Sequence, residues 1–182
     1  ENIFNLSLVS AEVPWAEAPP GSGNWVSYPI SEGIVVENSD NITFDSNTVS
    51  VNFTDVVTAS GYDTIYSVDF KNSNNAVISN NTIVSEGNSY IYGLSISDCD
   101  NFNIEANDID TTSNYYSNGI SIEGHSTGVV KDNEISVKSK NSAYRIYSNR
   151  LDGNASATYT DNVIVGNAYN VFGFELDNVE SN

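Results

Sequence analysis

Five times along this chain an apolar residue is followed three positions later by asparagine, and two positions after that by another apolar residue. The copies are Phe44-Asn47-Val49, Ile78-Asn81-Ile83, Ile104-Asn107-Ile109, Val130-Asn133-Ile135 and Tyr159-Asn162-Ile164. Their asparagines lie 34, 26, 26 and 29 residues apart. A motif with fixed internal spacing at such a period specifies stacked units, because one unit of this size cannot bury its own apolar face.

A second row advances with the first. Pairs of apolar residues one apart precede the asparagines: Ile34/Val36, Val68/Phe70, Leu94/Ile96, Ile120/Ile122, Tyr144/Ile146 and Phe174/Leu176. Period-two alternation places each pair on one face of a short strand. Each coil therefore reads as strand, polar turn, strand, asparagine bend, strand and a loop of variable length. In the third coil these are Leu94 and Ile96, the turn 98–101, Phe102 and Ile104, the bend at Asn107, Ile109, and a loop from Thr112 to Asn118.

Asparagine suits the bend on two grounds. It tolerates left-handed backbone, and its amide both donates to and accepts from the same residue in the next coil. Asn47, Asn81, Asn107, Asn133 and Asn162 are thus expected to form an internal ladder. A β-sandwich also offers short strands and turns, but gives no reason to repeat asparagine at one register.

This pattern resembles the right-handed parallel β-helix of the pectin-lyase-like proteins, over residues 31–180. The expected fold is all-β, a single-stranded solenoid of about five to six coils. Residues 31–182 form it. Residues 1–30 carry Pro14, Pro19, Pro20, Pro29, Trp15 and Trp25 and no repeat register, and read as an N-terminal cap. The longer excursion from Asn52 to Tyr66 reads as a projecting loop or a partial cap.

The chain has 182 residues and a formal charge of −18. That charge argues against nucleic acid as a partner, and no apolar run is long enough for insertion in a membrane. Five of the six basic residues, Lys131, Lys138, Lys140, Arg145 and Arg150, fall in the fourth and fifth coils, where neutralisation of acidic neighbours accounts for them better than docking of an acidic polymer. The chain starts at Glu1, and Phe174 and Leu176 open a coil whose asparagine does not follow. It is therefore expected to be a piece of a longer surface protein, with end-to-end self-association where coils are left bare.

Candidate sites follow from residue types. Counted from the first-strand register, Tyr66, Tyr92 and Phe172 share one position, and Tyr90 and Tyr116 share another. Such an aromatic edge either covers a corner of the solenoid or forms a ledge for a sugar or a protein, because tyrosine combines apolar area with a hydroxyl. The single cysteine, Cys99, stands between Asp98 and Asp100, whose charge opposes a thiolate, so it reads as a turn residue. His125 is the only histidine, which excludes a multi-histidine zinc site. The cluster Asp98, Asp100, Asp108 and Asp110 is a calcium candidate, but six to eight converging oxygens are not evident, and no metal or other cofactor is expected.

Asp98-Cys99-Asp100, Gly124-His125-Ser126 and Arg145-Ile146 are similar to the aspartates, Gly-His-Gly and Arg-Ile-Lys of polygalacturonase-type glycoside hydrolases. That likeness implies Asp98, Asp100 and His125 as catalytic residues. The chain departs from it: Lys71-Asn72-Ser73-Asn74 stands where an Asn-x-Asp is needed, and Tyr147 replaces the lysine. Polysaccharide lyases of the same fold are the other enzymatic alternative, and a ligand-free structural stalk the third.

The Asn-Thr-Val, Asn-Asn-Thr-Ile and Asn-Glu-Ile repeats, the scarcity of basic residues and the abundance of asparagine and tyrosine resemble adhesin-like surface proteins of methanogenic archaea. That resemblance implies a non-catalytic extracellular module at the cell surface, attaching to a glycan or protein of another cell.

Overall fold

A three-residue strand is not stable by itself. Thr43–Asp45 persists because the chain returns one coil later with an equivalent strand, so that Phe44 lies beside Ile78, and Ile78 beside Ile104. The computed structural model describes residues 2–9, 30–54, 64–88, 90–114, 116–139, 145–152, 155–168, 170–173 and 175–177. Strand β1 (Ile3–Val9) comes first. Successive coils then supply β2 (Ile30–Glu37), β3 (Thr43–Asp45) and β4 (Thr48–Thr54), followed by β5 (Thr64–Lys71), β6 (Val77–Ser79) and β7 (Thr82–Gly87). The third and fourth coils give β8 (Tyr90–Ser97), β9 (Phe102–Glu105), β10 (Asp108–Ser113), β11 (Tyr116–Glu123), β12 (Thr127–Lys131) and β13 (Glu134–Ser139). Last come β14 (Arg145–Asp152), β15 (Ser156–Thr160), β16 (Val163–Asn167), β17 (Asn170–Phe172) and β18 (Glu175–Asp177).

Equivalent strands pair in parallel to make three sheets. The long sheet runs β2-β5-β8-β11-β14-β17, with β18 also on β14. The short sheet runs β3-β6-β9-β12-β15, and the sheet after the bend runs β1-β4-β7-β10-β13-β16. This is a parallel β-helix, and the described residues contain no helix.

Both apolar members of the asparagine motif point inward. Val49, Ile83, Ile109 and Ile135 stack in the sheet after the bend, and Ile78, Ile104 and Val130 in the short sheet, all fully buried. Val68, Leu94 and Ile120, with Phe70, Ile96 and Ile122, complete the core from the long sheet.

The asparagines form one column through the bend. The Asn47 backbone N–H and Nδ2 both donate to Asn81 Oδ1, at 2.9 and 3.1 Å. Asn81 donates likewise to Asn107 at 3.0 and 2.9 Å, Asn107 to Asn133 at 2.9 and 2.9 Å, and Asn133 to Asn162 at 3.0 and 2.9 Å. The second Nδ2 hydrogen goes to a carbonyl one coil back: Asn81 to Phe44, Asn107 to Ile78, Asn133 to Ile104 and Asn162 to Val130. These carbonyls belong to the motif's own first apolar residue. The three-residue offset thus sets both the inward side chain and the acceptor for the next rung, and buried polar groups are satisfied.

Several expectations are corrected. The left-handed residue at each bend is the one before the ladder asparagine: Ser46, Asn80, Ala106, Asp132 and Asp161 have φ between 53° and 55°. This reversal turns the asparagine's side chain and N–H together toward the next coil. In the fifth coil Ile122 pairs with Leu151 and Ile146 pairs with Ser117, so Ile146 is not in the register of Ile120/Ile122. A longer connection before β14 shifts the register, and the residue paired with Ile120 is Asn149, which hid the repeat. Leu176 does align, beside Leu151; Tyr144 and Phe174 lie outside the described residues.

The third coil's loop is shorter than expected. Thr112 and Ser113 belong to β10 and Tyr116 to Asn118 to β11, because the inward positions there carry small hydroxyls. Ser117 donates to Thr111 at 2.6 Å, both buried, and Ser67 and Ser85 make a like contact at 2.6 Å. Phe53 is not in a loop either; it ends the inward row of β4, buried. At the other end Asn2 donates to Asn47 at 2.9 Å, and Ile3–Val9 pairs with Thr48–Thr54 in parallel. Residues 2–9 therefore do carry the repeat register. The expected cap's prolines and tryptophans, and residues 55–63 of the excursion, lie outside the described residues.

Candidate functional site

Parallel, in-register pairing sets equivalent residues one strand spacing apart, about 4.8 Å. Where the repeated residue is an outward tyrosine, the rings must meet. In the long sheet Tyr66 pairs with Tyr92, and Tyr90 with Tyr116. The Tyr66 and Tyr92 rings stack at 4.8 Å between centroids, Tyr90 and Tyr116 lie 5.1 Å apart, and Tyr92 and Tyr116 join the two pairs at 6.2 Å. All four rings are half-buried and form one cluster across three coils.

Phe172 falls in the Tyr66/Tyr92 register through Asn118 and Tyr147. Only its backbone is described. Asn118 interrupts the aromatic row. Its amide is 0 % exposed, and among the described residues neither its Oδ1 nor its Nδ2 has a hydrogen-bond partner.

An ionic group flanks the rings on the same face. Asp69 is 1 % exposed, and one of its oxygens lies 2.9 Å from Lys71 Nζ; Lys71 also binds Glu32 across the coil boundary. The ammonium stands 5.8 Å from the centre of the Tyr66 ring. Desolvation raises the Asp69 pKa despite the lysine. For Lys71 burial works in the opposite sense, but its contacts to Glu32 and Asp69 prevail and hold its pKa above the ordinary value. Burial, with the Glu123 and Asp69 carboxylates, pushes Tyr66 up to about 12, so its hydroxyl is neutral at all ordinary pH. Further along the face Ser121, buried, donates to Glu123 at 2.9 Å.

Asp98, Asp100 and His125 sit elsewhere, in the turn between the long and short sheets, at the other end of β8 from the tyrosines. Asp98 Oδ1 accepts the His125 backbone N–H at 3.0 Å, and Asp100 Oδ1 accepts the Thr127 hydroxyl at 2.9 Å. The His125 side chain is 80 % exposed, its Nδ1 3.8 Å from Asp98. Both carboxylates thus hold the turn of the following coil. Asp108 and Asp110 project from the sheet after the bend, Asp110 paired with Lys138 at 2.9 Å. Among the described residues no three His, Cys, Asp or Glu side chains converge to hold a metal ion. Lys131 pairs with Glu105 at 2.7 Å, so both lysines described in this basic stretch neutralise carboxylates of the preceding coil.

Cys99 belongs to a second ladder that the sequence reading passed over. Ser39 N–H donates to Ser73 Oγ at 3.1 Å, Ser73 N–H to Cys99 Sγ at 3.3 Å, and Cys99 N–H to Ser126 Oγ at 3.1 Å. Burial raises the thiol's pKa. The signal was present in Asn38-Ser39-Asp40-Asn41, Asn72-Ser73-Asn74-Asn75 and Asp98-Cys99-Asp100-Asn101, whose first and last residues are all left-handed. Glu32, Asp69, Lys71 and Asn118 were also passed over as neighbours of the tyrosines. Aligning the first-strand register outward as well as inward brings them together.

No protein-family model matches the chain, and neither a curated protein nor a solved structure is significantly similar to it.

Proposed function

We propose that this chain is a non-catalytic adhesive module of an extracellular surface protein, related in kind to pectin-lyase-like β-helices and to the adhesin-like proteins of methanogenic archaea, and that it attaches to glycan or protein on another cell. The observation that carries this reading is the joined cluster of Tyr66, Tyr92, Tyr116 and Tyr90 on one outward face. Four adjacent rings, tilted 29° to 50° to one another, give a continuous apolar ridge bordered by hydroxyls, suited to the C–H groups of a sugar or to a protein side chain. The rigid stack beneath holds the rings in place before binding, which lowers the ordering cost of attachment. Asp98, Asp100 and His125 serve the turn in this reading, since both carboxylates already accept hydrogen bonds there.

The test is a glycan array with pull-down on intact cells, run with wild type and with Tyr90→Ala and Tyr116→Ala. Retention by the wild type and its loss in folded variants supports the ledge. Equal retention by all three refutes it, and release of reducing sugar or unsaturated product from polyuronates refutes the non-catalytic assignment.

A further inference from the structure

We infer that a second copy of this chain docks on the first end to end, with β1 of the second copy pairing on β16 of the first. The two ends of the described coil stack have complementary steps. At one end the sheet after the bend reaches one strand farther than the other two, with β1 beyond β4. At the opposite end the long sheet reaches one strand farther, with β17 and β18 beyond β14. Stacked head to tail, the second copy's β1 falls on β16 and its β2 on β17 and β18, so both sheets run on across the joint and their open edges are paired. Only the short sheet skips a strand there, between β15 and the second copy's β3.

Side chains match at the joint row by row. In the sheet after the bend, Ile3 and Val163 close the two ends of one outward row, and Phe4 and Ile164 the two ends of the inward row that holds Ile83 and Ile109. Ile3 is 67 %, Val163 57 % and Ile164 39 % exposed, so each end shows apolar area that the other covers on docking. The bend ladder also has a direction. Asn2 donates to Asn47, and among the described residues nothing donates to the Asn2 Oδ1. At the far rung Asn162 gives one Nδ2 hydrogen to the Val130 carbonyl, and among the described residues nothing accepts its backbone N–H or its other Nδ2 hydrogen. Head-to-tail docking sets these donors against the second copy's Asn2 Oδ1 and repeats the rung that joins Asn133 to Asn162. Like end on like end sets acceptor against acceptor or donor against donor. A head-to-tail contact along the solenoid axis does not close, so association is open-ended. The formal charge of −18 on each copy opposes it, and salt relieves that repulsion.

The experiment is sedimentation equilibrium of the 182-residue chain over a concentration series, at low salt and at about 0.5 M salt. The average mass is expected to climb with concentration past that of a dimer, and to climb further at high salt. Two doubly substituted chains test the register, because residue 3 of one copy faces residue 163 of the other and both are exposed. Ile3→Lys with Val163→Glu sets opposite charges across the joint, and Ile3→Lys with Val163→Lys sets like charges. At low salt the first should associate about tenfold more tightly than the second. The like-charged chain is the less negative of the two, so overall repulsion predicts the reverse order. Asn2→Ala removes the acceptor and should weaken association about fivefold. A wild type that stays monomeric overturns the inference, as does a mass that levels off at the dimer, which marks a closed two-fold contact. Equal association of the two charge variants, or an unweakened Asn2→Ala, overturns the register.

Discussion

Replacing Asn107 by leucine removes the centre of the bend ladder while keeping the same branched heavy-atom skeleton. In the wild type its Oδ1 accepts the Asn81 N–H at 3.0 Å and Nδ2–H at 2.9 Å, and its Nδ2 donates to Asn133 Oδ1 at 2.9 Å and the Ile78 carbonyl at 2.8 Å. Asn133 Oδ1 keeps the Asn107 backbone N–H, so that acceptor survives. The two Asn81 donors do not. Both are buried, with Asn81 itself 1 % exposed, and each orphaned group costs about 1–3 kcal/mol, or about 4 kcal/mol for the pair. At a urea slope of about 2 kcal/mol/M the unfolding midpoint should fall by about 2 M. The control is Asn101→Gly in the exposed turn ladder, where Asn101 donates to Asn75 at 2.8 Å in contact with water and glycine adopts the φ of 57° without strain; there the loss should stay within about 0.5 kcal/mol. Circular dichroism during urea unfolding measures both. A midpoint for Asn107→Leu within about 0.5 M of wild type, or an equal loss for Asn101→Gly, would refute burial of the ladder as the source of its strength.

Three further outcomes follow from the same geometry. Cys99→Ser should be nearly neutral in thermal unfolding, since serine fills the equivalent ladder positions, whereas Cys99→Val should cost about 1–3 kcal/mol by orphaning the Ser73 N–H. Gly128→Ala places a Cβ against the Phe102 ring and carbonyl, and should destabilise by about 1–3 kcal/mol, with the near-ultraviolet signal changed; an unaltered melting temperature would contradict this packing. Asp69 has a folded pKa raised above its ordinary value of 3.8, so its contribution to stability is complete below that value and is lost as pH rises through the folded pKa. The melting temperature of Asp69→Asn minus that of wild type should therefore grow from pH 3 to neutrality, and a constant difference would show that Asp69 is not desolvated.

Fold class and much of the register were legible from residues alone. The motif Ile104-Asn107-Ile109 encodes both a buried amide and two inward side chains, because the same three-residue offset supplies the Ile104 carbonyl to Asn133. The tyrosine pairs were legible too, since parallel pairing carries sequence register directly into space. Where the reading failed, the repeat positions were polar or small: buried Ser117 and Thr111, and Asn149 paired with Ile120, interrupt the apolar pattern, so strand ends and the fifth-coil register were lost. Asn2 was missed because 45 residues separate it from Asn47, beyond the period of the other copies.

The sequence by itself determined that equivalent side chains stack, for a repeat at constant internal spacing can satisfy its backbone and bury its apolar face only by winding on itself. Only the tertiary structure decided what each stack meets. That Lys71 is held between Glu32 and Asp69 beneath Tyr66, that Asp98 and Asp100 serve a turn, and that Asn118 lies buried without a partner among the described residues depend on side chains 2 to 39 residues apart in the chain converging at hydrogen-bond distance. Register brings such groups to the same face; packing in three dimensions sets which of them touch and which are shut away from water.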